Sequence, residues 1–275
     1  MKNVFIATDF SPAAHCAIRY GIKLAAALNL KVTLASAYES LPIPVTNDPV
    51  VVSPDDMEEL VMEQLALEAK LFAMPGLRPI EVVSRKGATT DAILDAANAA
   101  AADLIVVGMK EHGVAFRRIF GSTVTGLAKK TGKPLLIVPE GTEYSAPSSI
   151  VIANDLGATA EIHVPTFLRD LAASFHATIT VVRFMGRRAA EVIELLDYSA
   201  NFRRVTGVIR PLEELPFEND AEDRLMRYVE DRHCNFLAMP VHHHSLAERW
   251  LAANPSRHLI LTTKLPFLLL PEDGE

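Results

Sequence analysis

The sequence predicts an α/β protein of two tandem domains, each an open five-stranded parallel sheet with helices on both faces. Three observations carry this. Short β-branched runs alternate with longer helical patterns through the first half, the signature of crossover connections. The run DLIVVG at 103–108 is apolar enough to be buried on both faces, as a central parallel strand must be. The pattern then restarts: IVIANDLG at 150–157 lines up with VFIATDFS at 4–11, an offset of 146, and LPFLLLP at 265–271 with KPLLIVP at 133–139, an offset of 132. This is an internal repeat whose second copy is 14 residues shorter. The Pro-rich loop at 41–54 has no counterpart after Val182, which places much of the shortening after the second strand. The domains are expected at 1–140 and 149–275, with a linker over 140–148.

Each element has its own signal. Val4 to Thr8 is a buried strand, followed by Ser11 as an N-cap and Pro12 at the first helical position. Ala14, Ala17, Ile18, Gly21, Leu24, Ala25 and Leu28 then share one helix face. Lys31 to Ala37 is the second strand. A loop with Pro42, Pro44 and Pro49 leads to Ser53-Pro54, which starts a helix ending near Phe72. Ile80 to Ser84 is the third strand, Thr89 to Ala100 the third helix and Asp103 to Gly108 the fourth strand. Ser122 to Thr131 forms a fourth helix and Pro134 to Val138 the last strand.

Composition narrows the classes. The 275 residues are 49% apolar and 22% charged, with 13 Gly and 17 Pro, which excludes a disordered, collagenous or disulfide-dense chain. Lys and Arg number 27 against 34 Asp and Glu, so no global field draws nucleic acid or anionic lipid, and neither is expected as a partner. Cys16 and Cys234 match no metal or redox spacing and suit a reducing compartment. No stretch approaches the ~18 consecutive apolar residues of a membrane span. The first apolar run is too short for a signal sequence and is soon followed by Asp9. The expected location is the cytoplasm.

In an open parallel sheet, ligands bind outside the carboxyl ends of the strands where strand order reverses. Asp9, Ala37 and Gly108 stand at such ends, and Gly121-Ser122-Thr123 opens the fourth helix. Glycine admits backbone N–H groups to an anion, the helix start offers unpaired donors and a positive dipole, and two hydroxyls add further donors. That chemistry suits phosphate. The alternative is that Gly108 merely ends a strand and Ser122 merely caps a helix.

These residues bring a resemblance into view. The chain resembles the universal stress protein family, whose ATP-binding branch carries Gly, two residues, Gly, nine residues, Gly, then Ser or Thr. Gly108, with Gly121 and Ser122 thirteen positions on, fits that spacing. IATDFSPAA with Asp9, GATTDAILDAA from Gly87, DLIVVG and GKPLLIVP match as well. The resemblance covers essentially 1–140 and weakens over 149–271. It implies a Rossmann-like, adenine nucleotide hydrolase-like fold and a non-catalytic stress-response module binding ATP with Mg²⁺. Ala7, Asp9 and Ala37 would flank the adenine. Val107 and Gly108 would lie beside ribose and phosphate, and Gly121, Ser122 and Thr123 on the phosphates. Where the pattern has its second glycine this chain has Glu111, with Gly113 two places late. A carboxylate there repels phosphate unless a cation bridges them, which makes Glu111 a candidate Mg²⁺ ligand.

The second domain departs further. By the same offsets Pro240 stands at Gly108, His243 at Glu111, Ala253 at Gly121, Asn254 at Ser122 and Pro255 at Thr123; only Asp155 remains, in the place of Asp9. Proline has no N–H to offer a phosphate, so this domain is not expected to hold ATP. His242-His243-His244 suggests a metal, but adjacent residues seldom converge on one ion, and a partly exposed loop is the plainer reading. His163, His176, His233 and His258 are scattered. Arg117, Arg118, Lys129, Lys130, Arg187 and Arg188 read as solvated, with Arg117 or Arg118 available to phosphate.

No Gly-x-Ser-x-Gly elbow and no Walker lysine in the Gly108 loop is present, so an enzyme is not expected. An adenine-nucleotide hydrolase would carry a Ser-Gly-Gly-x-Asp-Ser loop where this chain has Asp9-Phe10-Ser11-Pro12. A third reading is a partner-binding protein with both sites vestigial. Finally, Leu135 to Val138 and Phe267 to Leu270 are apolar terminal strands, and such edges recruit another strand. A linker of about nine residues spans up to roughly 30 Å. The two strands are expected to pair antiparallel, giving a dimer-like monomer.

Overall fold

A computed structural model describes residues 1–39, 54–110, 121–154, 164–185, 209–216, 221–241 and 264–271. The chain divides into two compact units, one of Met1–Lys110 with Gly121–Tyr144 and one that includes Ser145–Glu275.

In the first unit the chain runs β1 (Asn3–Ala7), α1 (Pro12–Ala27), β2 (Lys31–Tyr38), α2 (Pro54–Phe72), β3 (Glu81–Lys86), α3 (Thr89–Ala99), β4 (Leu104–Met109), α4 (Ser122–Lys130) and β5 (Leu135–Pro139). The strands lie in the order β3-β2-β1-β4-β5 and pair in parallel. The order therefore reverses between β1 and β4. β1 and β5 are buried along their whole lengths, which is why both read as unbroken apolar runs. Phe5, Ile6, Leu34, Leu104 and Ile105 are fully buried, each removal from water contributing about 1.5–3 kcal/mol.

Helix α1 starts as its sequence dictates: the Ser11 hydroxyl accepts the Ala14 N–H at 3.3 Å, and Pro12 follows. It ends where Asn29 turns left-handed, φ 53°. α1 packs on β1, β4 and β5, and α2 on β2 and β3. At the amino end of the sheet the Asp103 carboxylate accepts the Lys2 and Asn3 N–H groups, tying the start of β1 to that of β4. Burial pushes its pKa up, but these bonds outweigh that and leave it below the usual carboxylate value.

Each strand of the first unit differs from the sequence reading by one or two residues at an end. β3 begins one residue later and runs on to Lys86, because Arg85 and Lys86 pair by backbone with Ala37 and Tyr38 while their side chains stay in water. β4 and β5 extend to Met109 and Pro139, which pair with each other, and Glu140 N–H closes onto Met109 C=O at 2.8 Å.

The second unit repeats the plan: β6 (Ser149–Asn154), α5 (Thr166–Phe175), β7 (Thr178–Met185), β8 (Ile209–Pro216), α6 (Ala221–Asp231), β9 (Phe236–Val241) and β10 (Phe267–Pro271). Its strand order is β10-β9-β6-β7-β8, again parallel. The registers superimpose on those of the first unit. Val4 pairs with Leu104 and Ile150 with Phe236; Gly108 pairs with Val138 and Pro240 with Leu270. The offsets of 146 and 132 read from sequence are thus offsets between equivalent strand positions. Thr178 takes the place of Lys31 and Glu213 that of Val83, offsets of 147 and 130, so the shortening falls between the second and third strands.

Candidate functional site

In open parallel sheets ligands bind where strand order reverses, which here is at the carboxyl ends of β1 and β4. Ala7, buried, is the last residue of β1 and pairs with Ala35, so Ala37 lies two residues further along β2 at the same end. Ile6 pairs with Val106, which brings Val107 and Gly108 alongside. Asp9 follows on the connection to α1 and is exposed.

Gly108 has a packing role of its own. A Cβ there would stand 2.3 Å from the Ala13 carbonyl oxygen and 2.7 Å from the Ala14 nitrogen. The first turn of α1 therefore lies directly on β4, and only glycine permits that approach. Gly121 is the opposite case. Among the described residues a Cβ there would meet nothing within 4 Å, and its φ of −58° is ordinary. It begins α4 with no side chain of the described residues bonded to the first N–H groups. Ser122 is exposed and Thr123 half-buried. No hydrogen bond or ion pair among the described residues ties Ser122 or Thr123 to Asp9 or Gly108.

The turn after β1 is held on both sides. Asp9 Oδ1 accepts the Ser11 N–H at 3.1 Å, and Lys110 Nζ lies 2.8 Å from Asp9 Oδ2. Partial burial pushes the Asp9 pKa up, and the bonds from Lys110 and Ser11 more than offset it, leaving the group below its ordinary value. Asp9 is a carboxylate at neutral pH, offered as an acceptor. Thr8 accepts the Phe10 N–H at 3.0 Å and donates its hydroxyl to Glu68 Oε2 at 3.1 Å, while Glu68 Oε1 meets His15 Nε2 at 2.5 Å. Phe10 takes a left-handed φ of 62° in this turn. Thr8 and Glu68 are buried, so α2 reaches across to fix the turn that carries Asp9.

Lys110, Thr8, Glu68 and His15 are absent from the sequence-predicted site. Lys110 has a signal: it lies two residues beyond Gly108, the spacing of one strand face. His15 and Glu68 stand 53 residues apart with no local pattern to join them. Glu111, Gly113, Arg117 and Arg118 lie outside the described residues, as do Asp155, His163, Arg187, Arg188, His242, His243, His244, Ala253, Asn254, Pro255 and His258. His176 and His233 take left-handed conformations just after α5 and α6. Among the described residues no group of three or more His, Cys, Asp or Glu side chains could hold a metal. In the second unit Pro240 occupies the register position of Gly108.

A model of the Universal stress protein family matches residues 1–139, half the chain and every strand of the first sheet. The chain belongs to the universal stress protein family. No curated protein matches it. Among solved structures, a universal stress protein from Archaeoglobus fulgidus DSM 4304 is similar at 12% identity, covering 98% of each chain with a TM-score of 0.71. A putative universal stress protein from Pseudomonas aeruginosa UCBPP-PA14 matches at 13% identity over 98% of this chain and 93% of that one, TM-score 0.55. These likenesses extend the shared fold over both units. A universal stress protein in complex with cAMP is 25% identical, covering 51% of this chain and 98% of that one, with a TM-score of 0.37. No helix among the described residues is long and apolar enough to cross a membrane.

Proposed function

We propose that the first unit is a non-catalytic nucleotide-binding module of the stress response, taking ATP or another adenine nucleotide with Mg²⁺, weakly and at one site per chain. The observation that carries this reading is the open start of α4. Among the described residues no side chain caps it, none lies within 4 Å of where a Gly121 Cβ would stand, and the first-turn N–H groups and the Ser122 and Thr123 hydroxyls face no protein partner. Family membership supports it, since Gly108, Gly121 and Ser122 keep the spacing of the ATP-binding branch. Lys110 adds a cation at the same end of the sheet, and Asp9 an acceptor suited to an exocyclic amine. Mg²⁺, where bound, would screen the phosphate charge, and Glu111 is the side chain the sequence offers to hold it.

The non-catalytic reading rests on how the polar groups are wired. Thr8, Glu68 and His15 superficially resemble a nucleophile with a base. The carboxylate sits between the other two, so the imidazole makes no bond to the hydroxyl, and Thr8 is buried. Such a network orients a turn; it does not activate a nucleophile. The second unit is read as unable to bind in the same way, because Pro240 has neither the N–H nor the small size of Gly108. Mass spectrometry of nucleotide released from the purified chain tests this. Adenine nucleotide at no more than one per chain, unchanged after long incubation, is the expected result. Steady conversion of ATP to product that Gly121→Val abolishes would make it an enzyme, and no bound nucleotide with no thermal shift on adding MgATP would leave the vestigial, partner-binding reading.

A further inference from the structure

Helix α2 buries Val61, Leu65 and Glu68 against the sheet and α1. It also carries an apolar stripe that faces water. Leu60 is 54% exposed, Leu67 65% and Leu71 72%, and Met74, just beyond the helix, is 37% exposed. Among the described residues these are the exposed large apolar side chains, three on α2 and the fourth two residues past its end. Scattered exposed leucines need no explanation, but a contiguous group does. With exposed Gln64 the three leucines occupy positions 60, 64, 67 and 71, steps of four, three and four that define a heptad seam on α2. Glu63 and Lys70, both exposed, sit one heptad apart beside it.

We propose that this seam docks a second copy of the same chain, α2 against α2, antiparallel about a twofold axis. Charge selects the occupant and its direction. In the antiparallel register Leu60 meets Leu71 of the second copy and Gln64 meets Leu67. Glu63 then faces Lys70 of the second copy, and symmetry repeats the pair. A parallel pairing would instead lay the acidic start of the helix, with Glu59 and Glu63, beside its own copy. One polar residue at a core position fixes register at a cost in stability, which is the part Gln64 plays. A twofold arrangement closes on itself, so association stops at two copies. The seam spans under two heptads, so the dimer is dissociable.

Sedimentation of the full chain across a wide concentration range tests this. A monomer–dimer equilibrium is expected, weakened at least about tenfold by Leu67→Glu, a change at a water-facing position that spares the core. Glu63→Lys and Lys70→Glu should each weaken it by roughly fivefold, and the double exchange should restore it, since the pair is then reversed but intact. On a Cys234→Ser background, Leu60→Cys and Leu71→Cys chains should crosslink to each other and not to themselves. A chain monomeric at every concentration, a dimer indifferent to Leu67→Glu, a charge exchange that fails to restore, or self-crosslinking of either cysteine chain would each overturn the proposal.

Discussion

Gly108 and Gly121 look alike in a motif and should behave oppositely when replaced. In Gly108→Ala the new methyl would sit 2.3 Å from the Ala13 oxygen and 2.5 Å from the Ala13 carbonyl carbon, where ordinary contact begins near 3.4 Å. The obstacle is backbone and cannot rotate aside, so the first turn of α1 must retreat by about 1 Å, given normal contact distances. That turn is fixed by the Ser11 cap and by buried Ala13, Ala14, Ala17 and Ile18, so retreat also opens the packing on β4. Overpacking of this kind costs about 1–3 kcal/mol, and a backbone collision belongs at the upper end. A loss of about 3 kcal/mol lowers melting of a unit this size by roughly 10 °C. Gly121→Val meets none of the described residues within 4 Å of its Cβ. Losing glycine's modest preference at a helix start costs up to about 1 kcal/mol, and the less flexible unfolded chain returns part of it. Calorimetric unfolding, with hydrogen exchange read separately on β4 peptides, distinguishes the two. Gly108→Ala should melt early and lose β4 protection, while Gly121→Val should stay near the parent and bind nucleotide at least tenfold more weakly. Equal stability for Gly108→Ala and the parent would refute the close approach of α1.

Removing the cation beside Asp9 should show in its titration. Because its folded pKa lies below the ordinary value, Asp9 contributes stability at neutral pH that is lost as pH falls through that folded value. Lys110→Met should raise the Asp9 pKa, followed by carboxyl NMR, and move that loss to higher pH; the exposed pair limits the neutral-pH change to under about 1 kcal/mol. Asp103→Asn should cost about 1 kcal/mol and loosen the first residues of β1, seen as faster amide exchange at Lys2 and Asn3. If Glu111 only repels phosphate, Glu111→Gly should tighten ATP binding by about 1–3 kcal/mol; if it ligates Mg²⁺, the change should weaken binding only when Mg²⁺ is present, which calorimetry with and without Mg²⁺ separates.

The fold was legible because burial on both faces writes itself into the chain as unbroken apolar runs. VFIA, LIVV and LLIV mark β1, β4 and β5, and the repeat offsets turn out to be strand-register offsets. β3 was the less legible strand, since an edge strand pairs by backbone and leaves Arg85 and Lys86 in water, where side-chain pattern says nothing about pairing. Of the candidate site, sequence names the residues that spacing carries, Gly108, Gly121 and Ser122. The site was not legible where two distant elements meet. Glu68 holds Thr8 from 60 residues away, and a buried carboxylate in the middle of α2 looks in sequence like any surface glutamate. Nor does sequence divide the two glycines: one is demanded by α1 lying on β4, the other leaves a space open, and only the packing tells them apart.

The central claim is one nucleotide site, in the first unit, made by the open start of α4. Titration calorimetry of the full chain with MgATP tests it most directly, comparing the parent with Gly121→Val and with Ala253→Val at the corresponding place in the second repeat. One site per chain, abolished by Gly121→Val and untouched by Ala253→Val, is the predicted result; two sites per chain, or binding that survives Gly121→Val, would contradict it.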